Sequence, residues 1–76
     1  MYYLYLIRNR KTKKFYIGYT DDLKRRIKEH RGKSPELIYY EAYKSEKDAR
    51  NRESKLKQRG QSIRRLKARL YYSITS

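Results

Sequence analysis

Two short apolar segments near the N-terminus, Tyr2–Ile7 and Phe15–Tyr19, constrain most strongly what this chain can fold into. The first has apolar residues on both faces of an extended chain, which is typical of a strand that is buried on both sides. The polar stretch between them, residues 9–14, predicts a hairpin loop. Gly18 within the second strand predicts a bulge, or a place where another backbone or a ligand approaches closely.

The rest of the chain predicts one more strand and three helices. Thr20–Asp22 can cap a helix with acidic residues at its N-terminus, and Ser45–Asp48 resembles a capping box that opens a second helix. In chain order, the expected bounds are residues 20–30 for the first helix, 37–43 for the strand, 45–60 for the second helix, and 62–70 for the third, capped by Ser62. The order β-β-α-β-α-α predicts an α/β (α+β) domain, in which helices flank a small three-stranded sheet that is antiparallel or mixed.

Charge restricts the partners that we expect for this chain. Its 76 residues include 22 Lys or Arg and 8 Asp or Glu, which gives a formal net charge of +14. A chain of this length has room for one domain, residues 1–76. Its charge favours a polyanionic partner, either nucleic acid or an anionic membrane. The membrane is the weaker alternative, because no predicted helix has a wide apolar face.

Composition also excludes several kinds of site. The chain has no cysteine, which excludes a disulfide framework, a thiol nucleophile and a Cys-ligated zinc site. Its single histidine, His30, cannot form a multi-histidine metal site. The apolar run after Met1 is too short for a signal peptide or a membrane-spanning helix. We therefore expect a cytoplasmic protein.

Two polar residues interrupt the apolar face of the first predicted helix. At about 100° per residue, Arg26 and His30 lie on the same side as Leu23 and Ile27. Arg26 can be a side chain that extends from the edge of the core into solvent, and His30 can be an ordinary histidine near a helix end. The other interpretation is that both face a polar site.

Glu53 interrupts the apolar face of the second helix in the same way. It lies beside Ala49 and Leu56 in helical angle. A carboxylate on a face that packs against the core must be ion-paired, hydrogen-bonded or bound to a metal. An ion pair with Arg26 or Arg52 is the structural alternative. Two helices that each turn a charged residue toward the sheet suggest one shared polar site.

The predicted hairpin brings two tyrosines together. A symmetric turn places Tyr5 opposite Gly18. It also places Tyr16 opposite Ile7, so that the two tyrosines become diagonal neighbours on one face of the sheet. Taken singly, each tyrosine is an ordinary strand residue.

Taken together, these residues resemble the GIY-YIG endonuclease family, in particular its small single-domain bacterial members. The first family motif corresponds to Tyr3–Tyr5 and the second to Tyr16–Gly18, with a spacing of 11 residues between the two motif tyrosines. The segment Asp22–His30 resembles the family's arginine helix, and Arg52–Glu53 resembles the stretch that holds its metal-binding glutamate. The resemblance covers residues 2–70.

Two positions depart from the family pattern. Tyr3 occupies the place of the glycine in the first motif, and Tyr19 follows the second motif where some active relatives carry a lysine. The second departure removes one positive charge, for which Lys13, Lys14 or Arg25 could compensate.

The resemblance implies a metal-dependent endonuclease that hydrolyses phosphodiester bonds in DNA, in repair or recombination. It assigns Glu53 to a Mg²⁺ or Mn²⁺ ion and Arg26 to a non-bridging phosphate oxygen. Either Tyr5 or Tyr16 would orient or deprotonate the attacking water, and we favour Tyr5 because we expect its strand to be central. His30 would orient a tyrosine or contact phosphate. A free phenol has a pKa of about 10, so a tyrosine base needs cationic neighbours, which a chain of this charge supplies.

We expect the nucleic acid, most plausibly DNA, to lie along basic residues of the hairpin loop and the helices. Such phosphate contacts carry no sequence specificity. No small-molecule cofactor is expected, and the protein is expected to be a bacterial monomer or weak dimer. The alternative function is a non-catalytic basic protein that binds DNA or structured RNA. The predicted phosphate contacts are Lys13, Lys14, Arg25, Lys55, Lys57, Arg59, Arg64, Arg65, Lys67 and Arg69.

Overall fold

Strands and helices follow the predicted order. The computed structural model describes residues 1–30, 32, 34–58 and 60–75, without the side chains of residues 60 and 61. The order β-β-α-β-α-α is confirmed, and a short fourth helix follows it. The elements are β1 (Tyr2–Asn9), β2 (Phe15–Thr20), α1 (Leu23–Glu29), β3 (Pro35–Tyr43), α2 (Glu46–Gln58), α3 (Gly60–Arg69) and α4 (Tyr71–Thr75).

The three strands form one antiparallel sheet in the order β2-β1-β3, so β1 is central as predicted. The hairpin register places Tyr5 opposite Gly18 and Tyr16 opposite Ile7, which confirms the predicted pairing. No bulge occurs at Gly18, where the register is regular. The irregularity lies on the other side of β1, between Leu6 and Ile7, where β3 contains one extra residue.

One face of the sheet packs against the helices and forms the core. Leu4 and Leu6 of β1 are fully buried against Leu56 of α2 and Leu66 of α3. Because side chains alternate along a strand, Tyr3, Tyr5 and Ile7 point to the opposite face. The cluster around Leu4 and Leu6 therefore lies on one side of the sheet, and Tyr3 and Tyr5 lie on the other side, where Tyr5 and Ile7 are also buried.

Local hydrogen bonds explain where the loop and the first helix lie. In the β1–β2 loop, the Asn9 side-chain oxygen accepts from the backbone N–H groups of Lys11 at 2.8 Å and Thr12 at 3.1 Å. At α1, the Asp22 carboxylate accepts from the backbone N–H of Arg25 at 3.1 Å, which identifies Asp22 as the cap within the predicted segment.

The third helix begins earlier than predicted. It starts at Gly60, so Ser62 lies inside the first turn and is not the cap. No helix in the part of the chain that the structure describes is both long enough and apolar enough to cross a membrane.

Two partly buried ionic clusters support the sheet, and sequence patterns did not indicate either. Arg8 of β1 donates to the Glu36 carboxylate at 2.5 Å and 3.0 Å and to the backbone carbonyl of Ile74 at 2.6 Å. Arg52 of α2 donates to the Glu41 carboxylate at 3.1–3.3 Å. The first cluster attaches the C-terminal helix to the sheet, and the second attaches α2 to β3.

Candidate active site

Tyr5 lies on the face of the sheet opposite the cluster of Leu4 and Leu6. Its side chain is 5% exposed. A Cβ atom built at Gly18 would lie 2.5 Å from the Tyr5 hydroxyl oxygen and 2.7 Å from its Cζ atom, closer than side chains can approach. The group that approaches Gly18 is therefore the Tyr5 ring, and only a glycine on β2 leaves room for it.

His30, the C-terminal cap of α1, contacts both motif tyrosines. Its ring centroid lies 6.2 Å from that of Tyr5 with an interplanar angle of 63°, and 6.5 Å from that of Tyr16 with an angle of 28°. The backbone N–H of His30 donates to the carbonyls of Arg26 and Ile27 at the end of the helix. The end of α1 thus holds the imidazole against the two tyrosines of the hairpin.

Arg26 brings a positive charge to the same place. One terminal nitrogen pairs with the Glu29 carboxylate at 3.1 Å, and the side chain is 41% exposed. Its Nε atom is buried and has no hydrogen-bond partner among the atoms that the structure describes. A buried guanidinium N–H without a partner is an unfavourable arrangement in a free protein, so a ligand that draws the guanidinium outward and accepts from Nε would relieve it.

Glu53 lies on the inner side of α2, as its helical angle predicts, but its partner differs from the expected one. Its carboxylate lies 3.5 Å from Lys57 Nζ, one turn along the helix, and its side chain is 21% exposed. Arg26 pairs within its own helix, and Arg52 pairs with Glu41. The predicted alternative of an ion pair with Arg26 or Arg52 is therefore wrong, and Glu53 retains a partly open carboxylate.

The electrostatic environment keeps the Tyr5 phenol protonated. Burial raises the pKa of Tyr5 above 10.0; the positive charge of Arg26 opposes this, and the negative charges of Glu53 and Glu29 add to it. The expectation that cationic neighbours favour a phenolate is therefore wrong for Tyr5, because burial outweighs Arg26. The same interactions show that Arg26 and Glu53 both act electrostatically on this hydroxyl.

The side chains present fit only one kind of metal site. Among the described residues, no group of three or more His, Cys, Asp and Glu side chains is placed to hold an ion. A zinc site needs about three or four protein ligands. Mg²⁺ keeps several waters and binds through one or two carboxylates plus substrate oxygens. The partly open carboxylate of Glu53 fits a hydrated Mg²⁺ or Mn²⁺ ion of this second kind.

The comparison with protein families agrees with this arrangement. The family model of the GIY-YIG catalytic domain matches residues 1–67. The chain belongs to the GIY-YIG family. Searches of curated proteins and of solved structures found no significant match.

GIY-YIG domains are nuclease domains, so nucleic acid is the substrate class that the family indicates, and its nucleases generally depend on a divalent metal. In this GIY-YIG chain, the first motif supplies Tyr5, the second supplies Tyr16 and Gly18, and α1 supplies Arg26 and His30. These five residues meet on one face of the sheet.

The predicted phosphate contacts fall into two groups. Three of them are engaged within the chain: Arg25 pairs with Asp21 and Glu29, Lys57 with Glu53, and the Lys67 ammonium lies 4.1 Å from the centroid of the Phe15 ring. Lys67 is half-buried, because its side chain packs over the Phe15 ring. Arg59 lies outside the described residues. The second group is exposed and takes part in no ion pair or ring contact given for the described residues: Lys13, Lys14, Lys55, Arg64, Arg65 and Arg69.

The sequence analysis missed Tyr40, which lies directly opposite Tyr5 on β3. Its ring packs edge-to-face against Tyr3 at a centroid distance of 6.0 Å. The only sequence signal was the aromatic pair within the predicted third strand. The extra residue in β3 shifts the register, so the face occupied by Tyr40 could not be read from that pair alone.

Proposed function

We propose that this GIY-YIG domain, residues 1–76, is a metal-dependent endonuclease that hydrolyses phosphodiester bonds in DNA during repair or recombination. The observation that carries the proposal is the buried, unpartnered Nε of Arg26. It belongs to the same cluster as two tyrosines and a histidine at the positions of the family motifs. A donor held ready beside a buried hydroxyl is what an enzyme needs in order to bind a reacting phosphate.

Arg26 binds a non-bridging oxygen of the scissile phosphate. Its planar guanidinium presents donors in a fixed geometry, and the pair with Glu29 holds one of its terminal nitrogens in place. Negative charge grows on the phosphate oxygens as water attacks, so this contact strengthens in the transition state. Removing one such donor typically slows an enzyme by about 100- to 1000-fold.

Tyr5 orients the attacking water through its neutral phenol. Its raised pKa makes it a hydrogen-bonding group in the free protein, not a phenolate base. Tyr16 and His30 position it: the imidazole packs against both rings and so limits their movement. Tyr16, which is more exposed than Tyr5, is placed to contact phosphate or a second water.

Glu53 would hold the divalent ion. A bound Mg²⁺ or Mn²⁺ neutralises phosphate charge and lowers the pKa of water. In its absence, Lys57 pairs with the same carboxylate. Lys57 lies 3.5 Å from one oxygen of that carboxylate, so a bound ion would compete with this pair, and a released Lys57 would be able to contact the DNA backbone.

The exposed basic residues supply affinity. Lys13 and Lys14 lie in the hairpin loop beside β2, and Arg64, Arg65 and Arg69 lie on α3. Each neutralised phosphate releases counterions, so binding is strong at low salt and independent of sequence. This surface accounts for the net charge of +14, which hydrolysis alone does not require.

The test is cleavage of supercoiled plasmid DNA by the whole chain, with Mg²⁺ or with a chelator. We expect Mg²⁺-dependent nicking by the wild-type protein and a loss of at least about 100-fold in Glu53→Gln. Asp48→Asn is the matched control, because it makes the same carboxylate-to-amide change at an exposed position of the same helix. It should cleave like the wild type.

The melting temperature separates the proposal from the alternative function. Glu53→Gln should melt close to the wild type without metal, since it loses only a partly exposed pair within one helix. A wild-type protein that binds DNA but never nicks it with Mg²⁺ or Mn²⁺ would support the non-catalytic nucleic-acid-binding alternative.

A further inference from the structure

A groove adjoins the candidate active site. It has a volume of about 560 Å³, within the range of roughly 300–1,000 Å³ that is typical of small-ligand sites. Tyr3 of β1 and Tyr40 of β3 form its aromatic side, and residues 21–25 at the start of α1 form the rest. The hydrolytic roles assigned above do not use this aromatic side.

The aromatic wall is open to solvent. Tyr40 is 50% exposed, and its contact with Tyr3 is edge-to-face at an interplanar angle of 64°, which leaves ring surface uncovered. Tyr3 stands where the family's first motif has a glycine. This wall is therefore a feature of this chain in addition to the family's catalytic positions.

The groove lies next to the reacting centre. Tyr40 is the cross-strand partner of Tyr5, and side chains in such a pair have Cβ atoms about 4.5–5.5 Å apart. Tyr3 precedes Tyr5 by two residues and so points to the same face. An occupant of the groove would be the immediate neighbour of whatever Tyr5 contacts.

The charges that line the groove balance, since the carboxylates of Asp21 and Asp22 stand beside the cations of Lys24 and Arg25, so a neutral base meets no net repulsion there. Asp21, 66% exposed, pairs with Arg25 at 3.2 Å, and Asp22 accepts from the Arg25 backbone N–H. The two carboxylates can accept hydrogen bonds from the N–H groups of a base. Lys24 makes no ion pair among the residues that the structure describes and can contact a flanking phosphate.

We propose that this groove binds an unpaired base of the DNA substrate, stacked on Tyr40, beside the phosphate that is cut. The proposal rests on the proposed nuclease function and narrows its substrate to DNA with an unpaired nucleotide next to the scissile bond. Stacking on an aromatic side chain tolerates any base, because every base has an aromatic face. A base that is paired and stacked within a continuous duplex cannot enter the groove.

The first test measures affinity with a chelator present, so that it does not depend on cleavage. Fluorescence anisotropy compares a duplex with the same duplex carrying a short single-stranded thymine flap. Tyr40→Leu should weaken flap binding by about 5- to 100-fold and change duplex binding far less. Tyr40→Phe should keep the preference for the flap. Tyr72→Leu, at a tyrosine of α4 that is 84% exposed, is the control and should bind both DNAs like the wild type.

The second test uses the wild-type protein, so it stands even if Tyr40→Leu does not fold. A 5-iodouracil base placed as the unpaired nucleotide should crosslink to Tyr40 or Tyr3 under near-ultraviolet light, as mapped by peptide mass spectrometry. Crosslinking only at other residues, or equal losses on flap and duplex in Tyr40→Leu, would overturn the groove proposal alone. A wild-type protein that binds neither DNA would overturn the nuclease function and the groove proposal together.

Discussion

At the scale of single residues, Tyr5 is the side chain whose chemistry is most altered by its surroundings. Burial over Gly18 both positions the ring and raises its pKa. The burial that holds the Tyr5 hydroxyl in place also makes its ionisation less favourable. Tyr5 is therefore suited to orient water, and a separate base, or a metal ion that lowers the pKa of the water, is needed for loss of the proton.

Removing the two tyrosine hydroxyls one at a time tests these roles. We expect Tyr5→Phe to lower the single-turnover rate by about 100-fold, because the water loses its orientation, while DNA affinity changes little. Tyr16→Phe should lower the rate less and weaken binding more. The measurement is single-turnover cleavage at saturating protein, with affinity measured separately by anisotropy.

The pH profile shows whether Tyr5 acts as a base. If Tyr5 only orients water, the rate should rise with pH in parallel for the wild type and Tyr5→Phe. If the wild-type slope disappears in Tyr5→Phe, a Tyr5 phenolate is the base and the orienting role is wrong.

Sequence reasoning at this scale was reliable where geometry is periodic. A symmetric turn was enough to pair Tyr5 with Gly18, and helical angle was enough to place Glu53 on the inner side of α2. The helical angle of a residue does not determine how deeply its side chain is buried or which residue it pairs with, however. Glu53 pairs with Lys57 because Arg52 is already engaged by Glu41, and only the three-dimensional structure reveals that competition.

At the scale of elements, Arg8 holds together parts of the chain that lie far apart in sequence. It joins the end of β1 to Glu36 at the start of β3 and to the carbonyl of Ile74 in α4, 66 residues away. The apolar pattern of β1 ends at Ile7, and no sequence pattern indicated that Arg8 is buried. Its burial follows from the docking of α4, a helix that was not predicted.

Replacing Arg8 tests this attachment. Arg8→Met keeps an unbranched apolar stem but removes the guanidinium and its hydrogen bonds, and should lower the free energy of unfolding by about 2–3 kcal/mol. Arg10→Met is the control, because Arg10 is 65% exposed and lies 3.8 Å from the same Glu36 carboxylate. It should cost less than about 1 kcal/mol.

Urea unfolding followed by circular dichroism measures both variants. Limited proteolysis should release α4 faster in Arg8→Met than in the wild type. Equal losses of stability in the two variants would contradict the anchoring role of Arg8.

At the scale of the whole molecule, titration at both ends of the pH range affects stability. At the acid end, the hydrogen bond from Arg8 lowers the pKa of Glu36. Burial alone would raise the pKa of Glu41, but hydrogen bonds from Tyr39, Tyr43 and Arg52 reverse the direction and lower it. The folded state binds fewer protons at these carboxylates than the unfolded state does. Their contribution is present above pH 4.5, the ordinary pKa, and is lost as pH falls through the lowered values.

At the alkaline end, the dependence of stability on pH has the opposite sign. Burial and the hydrogen bond to Glu41 raise the pKa of Tyr43 from 10.0 to about 12. The Tyr43 contribution to stability is therefore complete below pH 10.0 and is lost as pH rises through about 12. Lysines also lose charge in this range, which relieves repulsion in a chain of charge +14, so the tyrosine effect must be isolated by difference.

Comparing the wild type with Tyr43→Phe isolates the contribution of the Tyr43 hydroxyl to stability. At neutral pH, the variant should be less stable by about 1–2 kcal/mol, because it loses a hydrogen bond to a carboxylate. The difference should narrow as pH rises above 10.0. Urea unfolding at a series of pH values measures it, and a difference that stays constant to the alkaline limit would contradict the raised pKa of Tyr43.

The central claim is that Arg26 binds the reacting phosphate at a site built by the GIY-YIG motifs. The most direct test is the single-turnover rate of DNA cleavage by Arg26→Lys, which keeps the charge but loses the planar donor group, at saturating protein with Mg²⁺. Arg25→Lys, the same change at the neighbouring residue of the same helix, is the comparison. We predict a loss of about 100-fold or more for Arg26→Lys and nearly the wild-type rate for Arg25→Lys. Equal rates for the two variants would contradict the assignment of Arg26 to the transition state, and with it the proposed active site.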